Sequence, residues 1–595
     1  MNRKDIAQQD TWDLSSLFKS DESWYSTLTE YEKMAEKIPS FQGTLGQSAE
    51  SLARYLAFFR DLMLVTERLG YYSELRQAED EGDSEARSMS GRYIIVTAKI
   101  QASLAWATPE IQAIPDTVIT EFLNNPLLKE YTVYLKKILR TKPYVLSAAE
   151  EKLLSLYAET DQSLSEIFTV LTNVDLDFGS IDTPEGPKPL SQSTFSLFME
   201  SPDRIIREKA YKQFYQYFDS HKTTLATVYS SQVKQDVVLA RIRGFSSARA
   251  VALFPDNVPE SVYDNLIETI HANLQPLHRY YALKKRILNV SPLRHYDVYA
   301  PLVPTVSRKT QWDEAVKLIE SALAPLGKEY TTILTSGLRG RWADRYENKG
   351  KRSGAFSAGS FSADPYILMN YKEDSIRDVF TLAHEGGHSM HSYYAARSNP
   401  FLHYNYTIFE AEVASTLNEE LVFRYLLKEQ ADTVPLAAAY LSNKRADDIV
   451  ATLYRQTMFA EFEKYTHTLE ENGTPLTIDI LRTAYKKLLE QYFGPSLEFE
   501  SESDLECLRI PHFYRAFYVY KYATGISAAL ALTERIVQGG ARERDDYLRF
   551  LRSGGSQFPL ESLHCAGVDM ASPQAIQAAC HVFERLVTYL ESTLY

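Results

Sequence analysis

Cysteine is nearly absent. Cys507, Cys565 and Cys580 are the three in 595 residues, too few for a disulfide framework and too few for a metal site of four thiolates, so reduced thiols are expected. An excess of basic charge is also missing. Lys and Arg number 64 against 78 Asp and Glu, a formal net charge of −14 with no Lys/Arg block, and this disfavours nucleic acid and anionic membranes as partners, since both require cationic patches. No uninterrupted apolar run is long enough to span a bilayer, and the opening stretch MNRKDIAQQDTWDLSSLF has no apolar signal region. A cytoplasmic location is expected. Internal repeats and low-complexity tracts are absent as well. What is present is 45% hydrophobic and 24% charged composition, enough to bury a large core in more than one domain.

Strand signals are scarce, and residues 10 to 175 read as successive amphipathic helices. WYSTLTEYEKMAEKI, ESLARYLAFFRDLMLVTERLGYYSEL and AAEEKLLSLYAETDQSLSEIFTVLTNV repeat apolar residues at three- and four-residue spacing. Residues 174 to 195, VDLDFGSIDTPEGPKPLSQSTF, then switch to alternation around a Pro/Gly turn and predict a β-hairpin. The domain boundary is placed just after it, giving an N-terminal helical domain over 1–200 and a second domain over 201–595. A long helical stretch from Asp203 to Arg243 opens the second.

That second part contains FTLAHEGGHSMHSYY, residues 380 to 394. His384 and His388 are four residues apart, about one helical turn, so their imidazoles share a face and can converge on one metal, with Glu385 beside them as a general base for water. This is the chemistry of a zinc peptidase. Ser375 and Asp378 form a capping-box pattern ahead of Ile376, Val379, Phe380 and Ala383 at helical spacing. Gly386 and Gly387 oppose the helix, each by about 1 kcal/mol relative to Ala, and are read as places where another backbone passes close. His391 is no ligand: seven residues of helix rise about 10.5 Å, so it is expected in a supporting or structural role. Residues 391 and 394, His and Tyr, also break the longer pattern with a third histidine.

A third ligand must come from elsewhere. IFEAEVASTLNEELVFRYLL, 408 to 427, is a second helical pattern in which Glu412, Thr416 and Glu419 make a polar strip. A carboxylate from it would complete a site of two histidines and one glutamate with a fourth position open. Spacing alone leaves Glu410 and Glu412 both available. Just before the histidines, GKRSGAFSAGSFSADPYILMNY, 350 to 371, has two short β-like runs, and a sheet edge there could hold an extended peptide by strand addition. Further on, RIPHFYRAFYVYKYATGISAALAL, 509 to 532, crowds His512, Tyr514, Tyr518, Tyr520 and Tyr522 into eleven residues. Such density ordinarily marks a packed helix face, but beside a metal site these groups could donate hydrogen bonds to an oxyanion.

HEGGHSMHSYY followed by FEAEVASTLNE resembles oligoendopeptidase F, a branch of the thimet oligopeptidase-like zinc metallopeptidases, and the likeness runs from TWDLSSLF to ALALTERI. The resemblance implies a mainly α-helical, two-domain zincin-type fold enclosing a substrate channel, with a small β-sheet beside the histidine helix. It selects Glu412 as the third ligand of one Zn2+ per chain and Glu419 as the support of a ligating histidine. It places Gly354, Ala355 and Phe356 against substrate backbone, and His512 with the tyrosines, differently spaced, in the family's donor segment. The implied activity is cleavage inside short unstructured peptides. A carboxypeptidase or dipeptidyl carboxypeptidase would need a cation to hold a free C-terminus, which no spacing identifies. A non-catalytic zinc-stabilised peptide-binding protein would have no use for Glu385.

Overall fold

The computed structural model describes every residue except 158, 159, 161, 305–308, 431–433 and 595. The corresponding part of the helical run expected around residue 160 therefore lies outside the described residues. The chain is mainly helical and divides into two compact units, each gathered from three segments: Met1–Pro143, Ser307–Tyr425 and Leu532–Gly567 in the first, Tyr144–Val306, Leu426–Ala531 and Val568–Tyr595 in the second. The cut drawn at 200 falls inside the second unit. No helix of the described residues is long and apolar enough to cross a membrane.

In the first unit three helices, Asp21–Ala35, Ala49–Glu79 and Ser84–Leu104, each start where a side chain takes up a free amide: Ser20 accepts from Ser23 N–H, Ser48 from Ser51 N–H, and Asp83 from Glu85 and Ala86 N–H. Their apolar faces close over Trp24, Tyr31, Leu62, Leu69, Tyr72 and Met89. Trp12 and the strand residues Tyr366 and Leu368 join this core, so the early helices support the sheet.

The second unit holds the predicted hairpin, β1 (Ser180–Thr183) and β2 (Gly186–Pro189), antiparallel with Thr183 opposite Gly186. The stretch from Asp203 is two helices, Arg204–Ser220 and Lys222–Ile242, broken at His221. A short parallel pair, β3 (Leu293–Arg294) and β7 (Leu497–Glu498), completes its strands among the described residues.

A third sheet lies in the first unit: β4 (Ala343–Asp344), β5 (Phe356–Ala358) and β6 (Tyr366–Leu368), in the order β4-β6-β5, with β5 antiparallel to β6 at the edge. A buried charge group fastens it. Lys351, whose side chain has no exposed surface, donates from Nζ to Asp344 at 2.6 Å and to the carbonyls of Tyr346 and Met369 at 2.6 Å each, while Arg3 reaches the other Asp344 oxygen at 2.5 Å. Every donor of the ammonium is used, which is how a charge is tolerated at zero exposure.

Candidate metal centre and donor cluster

The histidine helix spans Ile376–Ser398 and the glutamate helix Ile408–Gln430, both as the periodicity predicts. The start of the first differs in detail. Ser375 is the N-cap, but its hydroxyl donates to Asp378 at 2.9 Å and does not accept from the helix, and the other Asp378 oxygen accepts from Lys372 N–H at 2.8 Å. A carboxylate is the stronger acceptor, so it captures the hydroxyl that a capping box would turn inward.

Of the two glycines, Gly387 has the close backbone that was expected. A Cβ there would stand 2.6 Å from Ala414 O and Ser415 Cα, on the glutamate helix. Gly386 instead faces the Leu334 side chain, 3.2 Å from where its Cβ would be. Asn418, fully buried, locks the crossing: it donates to Ala383 O at 3.1 Å and accepts from Tyr330 Oη at 3.0 Å.

This crossing brings His384, His388 and Glu412 together. The distances are 3.1 Å between the two Nε2 atoms, 3.3 Å from His384 Nε2 to Glu412 Oε2, and 3.5 Å from His388 Nε2 to the same oxygen. A tetrahedral ion with bonds of about 2.0–2.1 Å separates its ligand atoms by roughly 3.4 Å, so this triangle fits zinc without rearrangement. The same three residues are the one such group of His, Cys, Asp or Glu among the described residues. His384 Nδ1 is hydrogen-bonded to Glu419, which turns the Nε2 lone pair toward the other two ligand atoms. Burial opposes a charge on His384, yet hydrogen bonds from its ring to the Glu412 and Glu419 carboxylates outweigh it and raise its pKa to about 10. Burial likewise works against the Glu412 carboxylate, and the two histidines hold it well below the usual range. Both shifts describe a site arranged to hold positive charge between its ligand atoms. Ser415, which the sequence reading passed over, donates to Glu412 Oε2 at 3.0 Å.

Glu385 is 6% exposed, accepts no hydrogen bond among the described residues, and is pushed up by burial, which the two histidines only partly offset. Glu410, the other carboxylate left open by spacing, is fully buried and accepts from Ser562. His391 is a packing residue: its ring stacks on Tyr406 at 3.5 Å with 2° between planes. Edge strand β5 packs on the histidine helix, with Ser357 Oγ 2.8 Å from Ser389 Oγ. Ahead of it Gly354, at φ +85°, turns the chain in, and its carbonyl is taken by Asn370 at 2.9 Å. Ala355 follows, and Phe356 packs on Trp12.

Chain-wide likenesses identify the family. A profile of peptidase family M3 matches residues 197–582, and one of oligopeptidase F matches 110–178. The chain belongs to peptidase family M3. An oligoendopeptidase F homolog of Borreliella burgdorferi is 41% identical over 98% of both chains. The crystal structure of a Chlamydophila abortus protein, 36% identical, covers 100% of this chain and 99% of its own at a TM-score of 0.94. That of oligoendopeptidase-F from Enterococcus faecium, 32% identical, covers 96% and 99% at 0.74. The resemblance read from HEGGHSMHSYY and FEAEVASTLNE is thereby borne out, and as an M3 peptidase the chain is a metalloendopeptidase.

The segment with His512 and the four tyrosines belongs to the second unit of this M3 peptidase. His512 lies in a turn of 3-10 helix, Pro511–Tyr514, and the helix Tyr520–Gly539 follows. His512 is parallel to Tyr518 at 6.2 Å between ring centroids, and Tyr522 Oη is 3.4 Å from His512 Nε2. The other two tyrosines are elsewhere. Tyr514 stacks on Phe168 at 4.6 Å, and Tyr520, fully buried, packs on Tyr263 at 5.2 Å.

Proposed function

We propose that this M3 peptidase is a zinc-dependent oligopeptidase that cuts inside short, extended peptides. The observation that carries the reading is the His384, His388 and Glu412 triangle, sized for a tetrahedral ion, with Glu385 beside it and Glu419 behind it. A zinc ion held by those three side chains would supply Lewis acidity toward a peptide carbonyl and toward water. Glu385 is the general base. Its raised pKa suits a group that takes a proton from the attacking water and returns it to the leaving amine. Glu419 fixes the His384 tautomer, and Ser415 fixes the Glu412 carboxylate that would otherwise be free to turn.

The edge strand supports a preference for unstructured substrates. A peptide that adds to β5 must offer a free, extended backbone next to the histidine helix, which folded chains do not have. Tyr518, Tyr522 and His512 are proposed as donors to the oxyanion, and Tyr514 and Tyr520 as packing residues.

The test is chelation followed by reconstitution with elemental analysis. Removing the metal should abolish hydrolysis of a quenched fluorescent peptide, and one equivalent of zinc should restore it. Glu385→Gln should keep the metal and lose most turnover. Full activity in a preparation shown to be metal-free would overturn the proposal.

A further inference from the structure

The segment carrying Tyr518 is held by a group that the chemistry above does not use. Glu463 lies in the helix Arg455–Glu471 with its side chain fully buried. Its Oε1 accepts from Phe517 N–H at 3.0 Å, while Oε2 has no hydrogen-bond partner among the described residues. Phe517 is one of three non-glycine residues in the left-handed region among the described residues, at φ +55°, where a residue with a bulky side chain stays only if its surroundings hold it. The Tyr263 ring packs edge-on against it at 5.7 Å, and the helix of Glu463 adds two contacts. One is the Glu463 carboxyl on its amide, and the other is the His467 ring against its own ring, 4.5 Å between centroids, with His467 Nδ1 2.8 Å from the Glu463 carbonyl. The residue after this strained turn is Tyr518.

We infer that Glu463 is a positioning residue: its carboxyl anchors Phe517 N–H and thereby sets the turn that presents Tyr518 beside His512 and Tyr522. The inference rests on the reading of those side chains as donors. Burial pushes Glu463 well above the usual carboxylate range, with Asp236 adding to it, which favours the uncharged carboxyl, and the turn uses one of its oxygens as an acceptor. Glutamine supplies the same oxygen without charge, and leucine fills the space without it.

The experiment compares the metal-loaded full chain with Glu463→Gln and Glu463→Leu. Two quantities are read: amide hydrogen exchange of peptides spanning 513–519, and steady-state hydrolysis of a fluorogenic peptide. Glu463→Gln should keep amide protection and keep kcat within about threefold of wild type, because the geometry survives. Glu463→Leu should lose protection and lower kcat by up to about 100-fold, the scale on which a misplacement of 1 Å acts, with little change in KM or metal content. In a Tyr518→Phe background the leucine change should add little, since both act through one hydroxyl. If Glu463→Leu does not fold, Glu463→Asp, one methylene short of the amide, serves the same comparison. Unchanged protection in the leucine or aspartate variant, or a glutamine variant as impaired as the leucine one, overturns the inference. Lost protection with wild-type kcat leaves Glu463 as the anchor and overturns the donor reading of Tyr518 instead.

Discussion

Acidification offers a sharp test of what the third histidine of HEGGHSMH does. His391 is fully buried between Tyr406 and Phe550, the latter 5.1 Å away, and neither ring nitrogen has a hydrogen-bond partner among the described residues. Burial lowers its pKa to about 3, with His388 adding a little. In the unfolded chain the same ring titrates near 6.5. The folded pKa is therefore the depressed one, and the unfolded state takes the proton first. Stability from a neutral His391 is complete above about pH 6.5 and is lost at about 1.4 kcal/mol per unit as pH falls toward 3. From 6.5 to 5.0 the loss is about 2 kcal/mol.

His391→Phe removes the titration and keeps a ring between Tyr406 and Phe550. Its larger ring shifts absolute stability by up to about 1–3 kcal/mol through packing, so the level carries no information and the slope does. Denaturant unfolding at pH 7.5 and 5.0, with equal metal content in both proteins, should show the variant losing about 2 kcal/mol less than wild type over this interval. Other depressed histidines, such as His295 at about 4, titrate in both proteins and cancel. Parallel declines in the two proteins would refute the reasoning and mean that His391 finds a proton acceptor or solvent in the folded chain.

Glu419→Ala should weaken zinc affinity about 10- to 100-fold, as removal of a partner behind a ligating histidine does; competition with a chromophoric chelator measures it, and affinity equal to wild type would show that His384 is held by packing alone. Gly387→Ala should force the two site helices apart, since the new methyl meets backbone 2.6 Å away; a loss of about 1–3 kcal/mol together with weaker metal binding is expected, and a stable, fully metallated variant would contradict it. Tyr518→Phe or Tyr522→Phe should lower kcat by about 10²- to 10³-fold with KM and zinc content little changed. Tyr520→Phe should leave kcat as it was, because its ring lies in the core.

Helix positions and the site's local sequence were legible because their physics is local. Four-residue spacing puts His384 and His388 on one face whatever surrounds them. Apolar periodicity located the long helices of the first unit, and the Pro/Gly turn located the β1–β2 hairpin. The grouping of segments was not legible in the same way. A compact unit that gathers residues 1–143, 307–425 and 532–567 is made by contacts between distant stretches, and composition along the chain does not change where they join.

The third ligand shows where spacing stops deciding. Glu410 and Glu412 are two residues apart, so on a helix they point in directions about 160° apart and cannot both face the histidines. Periodicity thus requires a choice, but both rotations of the helix satisfy it equally. What decides is the contact at Gly387, which admits the Ala414–Ser415 backbone and no other approach as close. With that crossing fixed, Glu412 and Glu419, seven residues and nearly two turns apart, fall on the histidine side, while Glu410 turns inward to Ser562. The glycine therefore specifies which carboxylate faces the histidines. It follows that the penalty of about 1 kcal/mol for glycine within a helix is outweighed by the crossing it permits, and that under the proposed ligand set a change at residue 387 should alter metal affinity from a position that supplies no ligand atom.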